Sequence, residues 1–196
     1  SYGLDDNITI RLADGLCGIQ KDDVDTVTIC GMGGKLMKDI IEAGKDRLSN
    51  GMQLILSPQS EVREFRAYLL ENGIDILSEM MIKDEGKYYF IMDCVYHDMA
   101  EGAVYNNNTH LQGKNAAEYT EEELRYGRYL IDNHSEVLKE YLDKEYGSFI
   151  SIQKSLKEQN VKKPSAAIEK RLQELEADIE YNRKAELSCC AQDAQK

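Results

Sequence analysis

The chain has 196 residues, with 24 Lys and Arg against 36 Asp and Glu, a net charge of −12 at pH 7, and 42% hydrophobic residues. This length predicts one domain of ordinary size or a small domain with an appendage, and the apolar content argues against disorder throughout. No apolar run approaches the ~20 residues that a membrane-spanning helix needs, so no membrane partner is predicted. The acidic balance argues against general coating of nucleic acid but allows a local basic patch.

The cysteines and histidines favour a reduced, metal-free protein. The chain has five cysteines and no CxxC pair, at Cys17, Cys30, Cys94, Cys189 and Cys190. An odd set of this kind predicts free thiols in a cytoplasmic protein. The first three lie in apolar runs and are predicted to be packing residues, whereas the last two are predicted to be incidental. The histidines, which lack the spacing of metal ligands, are His97, His110 and His134.

The first 98 residues alternate short apolar runs with helical patterns. Five strands are predicted, at Asn7–Leu12, Asp25–Cys30, Gln53–Leu56, Ile74–Lys83 and Tyr88–Tyr96. Helical spacing follows the second and third runs, and the residues between the last two predict the turn of a hairpin. Strands that alternate with helices imply parallel pairing with helices on both faces of the sheet. An α/β pattern that ends in a hairpin is typical of class I methyltransferases rather than of dinucleotide dehydrogenases.

The rest of the chain predicts a linker and a helical domain. Residues 99–118 are polar and rich in Asn and Gly, so we expect a linker between residues 1–98 and residues 119–196. The later apolar residues recur at spacings of three and four, which favours a coiled coil. Pro164 breaks this pattern, so two helices are predicted to fold back as an antiparallel hairpin. The tail after Glu186 lacks periodicity and is predicted to be frayed.

The strongest local feature is the run Cys30-Gly31-Met32-Gly33-Gly34-Lys35, where glycines follow a predicted strand. Glycines at the carboxyl end of a parallel strand let the backbone approach a ligand, and the N-terminus of the next helix favours negative charge. Leu36 excludes both a Walker loop, which needs Ser or Thr there, and a dinucleotide fingerprint, which needs a third glycine there. The alternative is a tight turn that binds nothing.

Three other features can each be interpreted as a ligand-binding site or as a purely structural element. Asp14-Gly15 offers a carboxylate to an adenine amino group, or forms a plain turn. Ser57-Pro58-Gln59-Ser60 follows a strand, and Gln59 presents both a donor and an acceptor to a base. Ser60 is also suited to cap the next helix, and both roles are compatible. Tyr88 stacks on a nucleobase or belongs to the core.

Basic residues gather near the predicted helical turn although the chain as a whole is acidic. Residues 151–196 hold nine Lys and Arg against eight Asp and Glu, whereas residues 1–98 hold ten against eighteen. The cluster consists of Lys154, Lys157, Lys162, Lys163, Lys170 and Arg171. It is either a surface that meets a phosphate backbone or an ordinary solvated helical face.

Several of these motifs occur together in a recognisable order. They are Asp14-Gly15-Leu16, Asp25–Gly34, Leu54–Gln59, Glu85–Tyr89 and Tyr126-Gly127. In this order they resemble the bacterial tRNA (adenine(22)-N1)-methyltransferase family, over residues 1 to about 185. The resemblance implies a Rossmann-like domain that binds S-adenosyl-L-methionine, followed by a C-terminal helical coiled coil. The implied reaction transfers a methyl group to N1 of an adenine in tRNA.

The resemblance also implies a role for individual residues. Cofactor binding is implied for Asp14, Gly15, Gly31, Met32 and Gly33. Placement of the target base beside the methyl group is implied for Gly33, Ser57, Pro58 and Gln59. Contacts with the RNA are expected at Gly34, Lys35, Tyr88, Lys162 and Lys163. The chain departs from the family pattern at Ser57 and Gln59, where the family usually carries Gln and Asn, and at Phe90, where an acidic residue is expected.

The family's first strand and its Asp-x-Gly loop have no counterpart in this sequence, and Ser1-Tyr2-Gly3-Leu4 has the pattern of a helix end. We therefore expect a Rossmann-like fold that is truncated at its N-terminus, lacks half of the cofactor pocket and two central strands, and can be inactive as given. The alternative function is a non-catalytic, methyltransferase-like scaffold that grips RNA or a protein. A nicotinamide-dependent oxidoreductase is disfavoured by the glycine spacing. We expect a monomer or a weak dimer.

Overall fold

The computed structural model describes residues 7–98 and 118–191. Four strands form one mixed sheet in the order β1-β2-β4-β3, in which β1 and β2 are parallel and β4 is antiparallel to both of its neighbours. The strands are β1 (Thr26–Met32), β2 (Gln53–Pro58), β3 (Ile74–Asp84) and β4 (Lys87–Tyr96). The helices are α1 (Gly34–Ala43), α2 (Val62–Glu71), α3 (Glu121–Tyr126), α4 (Arg128–Asp132), α5 (Glu136–Lys162) and α6 (Ala166–Cys190). The strand–helix alternation and the closing hairpin are those that the sequence predicts.

The first predicted strand is wrong. Residues 7–12 form no strand, and their apolar side chains are 60%, 91% and 106% exposed at Ile8, Ile10 and Leu12. A strand needs a partner, and within the described ranges no other strand pairs with this segment. The predicted linker at 99–118 lies outside the described residues except for Glu118, and the pattern at Ser1–Leu4 lies wholly outside them.

Helices α1 and α2 pack on the same face of the sheet, so within the described residues the expectation of helices on both faces is wrong. Val27 and Ile29 of β1 are buried on that face, together with apolar residues of β2 and β4. The stripe that the two helices turn toward the sheet includes Met37, Ile41, Phe65 and Leu69. The register pairs Cys30 with Ser57 across β1 and β2. The loops that follow these two parallel strands therefore meet at one edge of the sheet.

The helical arm, α5 and α6, extends from two short helices. Helix α3 begins with a capping box, in which Thr120 and Glu123 each accept a hydrogen bond from the other's backbone. The break between α5 and α6 falls at Pro164, as predicted. The two helices pack side by side in opposite directions, and Asn182 of α6 donates to the Leu142 carbonyl of α5 at 3.1 Å. Within the described ranges, no helix is long and apolar enough to cross a bilayer.

The predicted fraying after Glu186 is wrong for residues 187–190, because α6 continues to Cys190, whereas residues 192–196 lie outside the described residues. Cys189 is buried, and its Sγ lies 4.0 Å from the Leu130 carbonyl oxygen and 3.9 Å from that of Ser135. Burial raises the pKa of this thiol. Cys189 thus packs the end of α6 against α4 and is not incidental.

The predicted packing roles of the other cysteines are confirmed only in part. Cys94 is fully buried in the sheet, where burial raises the pKa of its thiol. Cys17 and Cys30 are exposed, so their prediction as packing residues is wrong. Cys30 alternates with the buried Val27 and Ile29 along β1 and lies on the opposite face, which α1 and α2 do not cover.

A second apolar core joins the β3–β4 hairpin to the arm, and a buried ion pair lies beside it. Arg66 of α2 and Glu79 of β3 are 2.7 Å apart, and their side chains are 0% and 1% exposed. Arg66 also donates hydrogen bonds to the carbonyls of Leu124 and Arg125 at the end of α3. Since Glu79 accepts the backbone N–H of Tyr129, one charge pair connects α2 and β3 with α3 and α4.

We expect Arg66→Ala to lower the free energy of unfolding by about 3–5 kcal/mol, because Glu79 would stay buried without its partner. Arg63→Ala is the matched control, since Arg63 pairs with Glu121 at 2.8 Å while 38% exposed. Its cost is expected to be about 1 kcal/mol or less. Urea unfolding followed by circular dichroism measures both. Equal losses for the two variants would contradict the importance of the buried pair.

Candidate active site

The glycine loop, Gly31–Gly34, lies at the carboxyl end of β1 and begins α1. Gly31 has φ +80°, a backbone conformation that residues with a Cβ rarely adopt. A Cβ built at Gly31 would lie no closer than 4.0 Å to another atom, the Gln59 Nε2. Glycine is therefore required here by backbone conformation, and the exposed main chain leaves room for a ligand to approach.

Close packing restricts the other two glycines at the start of α1, strictly at Gly34 and only mildly at Gly33. A Cβ at Gly33 would lie 2.7 Å from Ser60 Oγ. A Cβ at Gly34 would lie 2.8 Å and 2.9 Å from the backbone oxygens of Glu61 and Ser60, and 2.9 Å from Phe65 Cβ. The tight-turn interpretation therefore applies to these two residues, whereas the open approach belongs to Gly31.

The glutamine loop, Ser57–Glu61, follows β2 and lies against the glycine loop. The Gln59 backbone N–H donates to the Met32 carbonyl at 2.9 Å, and the Gly34 N–H donates to the Ser60 carbonyl at the same distance. Ser57 and Pro58 are buried, whereas Gln59 is exposed. The structure thus brings the predicted base-placing residues together, with the Gln59 amide beside Gly31.

Glu61, rather than Ser60, lies at the start of α2, and its side chain does not cap that helix. The prediction that Ser60 caps α2 is therefore wrong. Glu61 has left-handed backbone angles (φ 53°, ψ 36°), and its carboxylate accepts the Lys35 N–H of α1 at 3.1 Å. The amides of Gly34 and Lys35 both have partners within the chain. The expectation that this helix N-terminus attracts the negative charge of a ligand is wrong for these two amides.

A cleft of about 590 Å³ opens beside the glutamine loop. Its first wall is Pro58–Glu61 with the start of α2, and its second is the turn of the β3–β4 hairpin. Its third wall comes from the helical region and includes Arg125, Tyr126, Tyr141, Lys144 and Glu145. Pockets of this size hold small organic ligands, so the cleft is large enough for a nucleobase.

Tyrosines give the cleft an aromatic wall with a carboxylate behind it. Glu145 accepts hydrogen bonds from the hydroxyls of Tyr126 at 2.7 Å and Tyr141 at 2.9 Å. Burial, and then the charge of Glu145, raise the pKa of both phenols above its usual range. Both tyrosines therefore remain protonated donors, so they add no charge to a wall that already holds Glu145, Arg125 and Lys144.

Tyr88, predicted to stack on a base, lies in this cleft with cations near its ring. The ammonium groups of Lys144 and Lys83 lie 5.0 Å and 5.6 Å from the ring centroid, and Tyr141 meets the ring edge-on at 5.3 Å. A base that stacks on Tyr88 has to compete with these cation–π contacts. Stacking on Tyr88 stays a prediction.

Asp14 and Gly15 lie beside α1 rather than on the glycine loop. Gly15 has φ +51°, and a Cβ there would lie 3.0 Å from the Ile40 side chain. Ile40 is about 9 Å along α1 from Gly34 at 1.5 Å per residue. Asp14 is exposed, and among the described residues no hydrogen bond joins it to the glycine loop. Its contact with a cofactor stays a prediction.

Of the other predicted RNA contacts, Gly34 is buried and Lys35 is exposed at the start of α1, whereas Lys162 and Lys163 lie far from the cleft. Lys162 ends α5 and Lys163 follows it, both exposed. Helix α5 has 27 residues, so Lys162 lies about 40 Å from the start of that helix. The structure therefore separates two regions, the sheet edge with its cleft and the tip of the arm.

The sequence did not reveal the helical wall of the cleft or the contact of Glu61. In the sequence, Tyr126 stands out only within the Tyr126-Gly127 motif and Tyr141 carries no local signal, because the fold alone brings both beside a loop that lies more than 60 residues earlier in the chain. The left-handed Glu61 follows no glycine or asparagine pattern. Within the described part of the chain, no group of His, Cys, Asp and Glu residues is suited to hold a metal ion.

A family model described as tRNA (adenine(22)-N(1))-methyltransferase matches residues 1–177. Among curated proteins, the tRNA (adenine(22)-N(1))-methyltransferase of Bacillus subtilis (strain 168) is 38% identical over 90 residues. Those residues are 46% of this chain and 38% of that enzyme, so the match spans well under half of its length.

Two solved structures share the fold. A protein of the NADB-Rossmann superfamily from Streptococcus agalactiae is 27% identical, with a TM-score of 0.73 over 94% of this chain and 70% of its own. Streptococcus pneumoniae Sp1610 in complex with S-adenosyl-L-methionine is 25% identical, with a TM-score of 0.72 over 94% of this chain and 71% of its own. The fold is therefore Rossmann-like with a helical C-terminal region, as predicted.

We expect alanine to be tolerated less well at Gly34 than at Gly33. The neighbours of a Gly34 Cβ include two backbone oxygens, which cannot move without shifting the glutamine loop, whereas Ser60 Oγ can rotate away from a Gly33 Cβ. Gly34→Ala should cost about 2–3 kcal/mol and Gly33→Ala about 1 kcal/mol or less. Thermal and urea unfolding measure both, and a larger loss at Gly33 would contradict this account.

Proposed function

Because the chain belongs to the tRNA (adenine(22)-N(1))-methyltransferase family, we propose that it transfers a methyl group from S-adenosyl-L-methionine to N1 of adenine 22 in tRNA. The observation that carries the proposal is the meeting of the glycine loop and the glutamine loop at the carboxyl edge of parallel strands. Ligands of open α/β sheets bind at this edge. The relative of known structure that binds S-adenosyl-L-methionine has this fold.

The residues of the glycine loop fit the cofactor. The Gly31 backbone is exposed and has no atom within 4 Å of a Cβ position other than Gln59 Nε2, which permits close approach. Met32 continues the same exposed edge, Gly33 is half-buried beside it, and Asp14-Gly15 forms a second segment beside α1. S-adenosyl-L-methionine supplies an electrophilic methyl group on a sulfonium. Gly31, Met32 and Gly33 would hold the reacting end, and Asp14 with Gly15 would hold the adenine.

The target base needs alignment rather than a strong base. N1 of neutral adenine has a lone pair, so no proton has to be removed before attack. The exposed Gln59 amide offers a donor and an acceptor to the base edge from a position beside Gly31. Ser57 and Pro58 fix that amide through their burial at the end of β2. The chain would promote the reaction by orienting the base in line with the methyl group and excluding water.

The cleft provides the space for a base removed from the RNA stack. An adenine within a folded RNA cannot present N1 to a protein loop while it is stacked and paired, so it has to be extruded. The cleft begins at Pro58 and Gln59 and is wide enough for a purine. Its mouth carries Lys87 on the hairpin and Lys144 on α5, which suit the neighbouring phosphates.

The tip of the arm is the second RNA contact in this proposal. Between residues 154 and 174 the two helices carry six Lys and Arg against three Glu, and all six cations are exposed. A local net positive charge on an acidic protein favours one polyanionic partner at one place. No observation favours the non-catalytic scaffold over the enzyme. Cytoplasmic location and a monomer or weak dimer remain predictions.

The direct test is methyl transfer from radiolabelled S-adenosyl-L-methionine to unmodified tRNA transcripts that carry adenine 22. We expect incorporation that blocks primer extension at position 22 and that disappears when guanine replaces this adenine. Gln59→Ala should lower kcat/KM by about tenfold or more, because one base-orienting amide is lost. No incorporation by the folded wild-type chain, at enzyme in excess over tRNA, would overturn the proposal.

The tip contact is tested by Lys162→Glu combined with Lys163→Glu. We expect weaker tRNA binding and a salt dependence that is shallower by about one to two units of log K against log salt. The control is Lys21→Glu with Lys45→Glu, which changes the charge equally at residues remote from the arm. Filter binding at several salt concentrations measures both. Equal weakening by the two double variants would show that only the overall charge matters.

A further inference from the structure

We propose that Glu61 is a positioning residue for methyl transfer. It holds the glycine loop against the glutamine loop, so that the Gly31 backbone and the Gln59 amide face the same space. The inference rests on the proposed function, since the geometry that Glu61 fixes is the one in which base and methyl group would meet. Glu61 acts through these two loops and not on the reacting atoms.

Beyond the β1–β2 ladder, three hydrogen bonds among the described residues join the glutamine loop to Gly31–Lys35, and Glu61 supplies the side chain in one of them. Two are backbone bonds, from the Gln59 N–H to the Met32 carbonyl and from the Gly34 N–H to the Ser60 carbonyl. The third runs from the Lys35 N–H to Glu61 Oε2 at 3.1 Å. The same oxygen lies 3.4 Å from the Cβ position of Gly33. The carboxylate thus closes the junction at the first turn of α1.

The backbone of Glu61 indicates that this contact is selected despite a conformational cost. Its left-handed angles are those that glycine adopts without strain, and a non-glycine residue there is unfavourable. Instead of glycine, the chain carries Glu61, whose side chain reaches the first turn of α1 after the glycine loop. Strained positions of this kind gather where surrounding structure and function over-determine them. The Phe65 N–H, which donates to the Glu61 carbonyl at 2.9 Å, fixes the same residue to α2.

The consequence is a fixed distance between two loops that have no covalent link nearby. Gly31 tolerates a range of backbone angles, so it does not hold its own position. A displacement of about 1 Å between reacting groups is enough to lower a rate by a hundredfold. Loss of the Glu61 contact should therefore lower turnover more than it lowers binding or stability.

The test compares Glu61→Ala, Glu61→Gln and Glu61→Gly in the full chain. Gln keeps an acceptor oxygen, Ala removes it and keeps the strained backbone, and Gly removes it and relieves the strain. Asp22→Gly is the control for relief of strain, since Asp22 has φ +67° and lies outside the lining of the cleft. Glu71→Ala removes an equivalent charge at the end of α2, where it also lies outside the lining of the cleft.

We expect the Lys35 amide to exchange with solvent on the order of tenfold faster in the Ala and Gly variants, and within about threefold of wild type in Gln. In tRNA methylation, kcat should fall about tenfold or more in Ala and Gly while KM for tRNA changes little, and Gln should restore most of it. Asp22→Gly and Glu71→Ala should leave both readouts near wild type.

Two outcomes overturn the inference in different ways. If Lys35 exchange is the same in wild type and Ala, Glu61 does not hold the loop. If exchange rises in Ala and Gly but kcat does not fall, the contact is structural and does not position the reaction. A wild type without methyl transfer rejects the proposed function, and with it the catalytic part of this inference. The amide exchange would still decide whether Glu61 holds the loop.

Discussion

The buried pair of Arg66 and Glu79 is the constraint on which the rest of the structure depends. Two opposite charges lie 2.7 Å apart with almost no exposure to water, so neither is tolerable without the other. Each also has a backbone partner in the helical region, and Gly127 lacks a side chain where a Cβ would lie 2.7 Å from both Glu79 carboxylate oxygens. Apolar contacts alone would allow the helices to slide over the hairpin. The pair fixes where α3 ends, where α4 begins, and therefore where the arm starts.

The cleft exists because the Arg66–Glu79 pair holds the helical region against the sheet. One of its walls belongs to the sheet edge, and the facing wall, with Tyr126 and Tyr141, belongs to the helices that Arg66 anchors. Arg66 also lies 5.2 Å from the ring centroid of Phe90, which is part of the cleft lining. Phe90 occupies a position where the resemblance leads one to expect an acidic residue. An aromatic ring at this position is compatible with the Arg66–Glu79 pair, because it contacts the Arg66 guanidinium without adding a charge that would compete with Glu79.

The sequence predicted the elements that depend on neighbouring residues, and it missed the contacts between residues that are distant in the chain. The β-branched run before Gly31 and the turn at Gly86 carry their own signals, so β1 and the hairpin were predicted to within a few residues. The alternation at 7–12 predicted a strand wrongly, because pairing depends on a neighbour that alternation does not supply. The sequence identified the glycine loop, but only the three-dimensional structure shows that Gly31 is required by its backbone conformation and Gly34 by close packing. The capping prediction chose Ser60 on propensity, whereas tertiary contact selected Glu61.

The charge distribution resolves the apparent conflict between an acidic chain and the proposed RNA partner. At physiological salt, charges in solvent are screened beyond about 8 Å, whereas the arm places its tip about 40 Å from the start of α5. The repulsion of the acidic body therefore does not cancel the attraction at the tip. Within the tip, Arg171 and Lys170 share Glu174 at 3.1 Å and 3.8 Å, so Lys162 and Lys163 at the turn are the better placed cations for phosphate. A substrate that is held at the tip and repelled by the body has few productive orientations. That restriction favours molecules long enough to reach from the arm to the cleft, a requirement that a folded RNA meets and a single nucleotide does not.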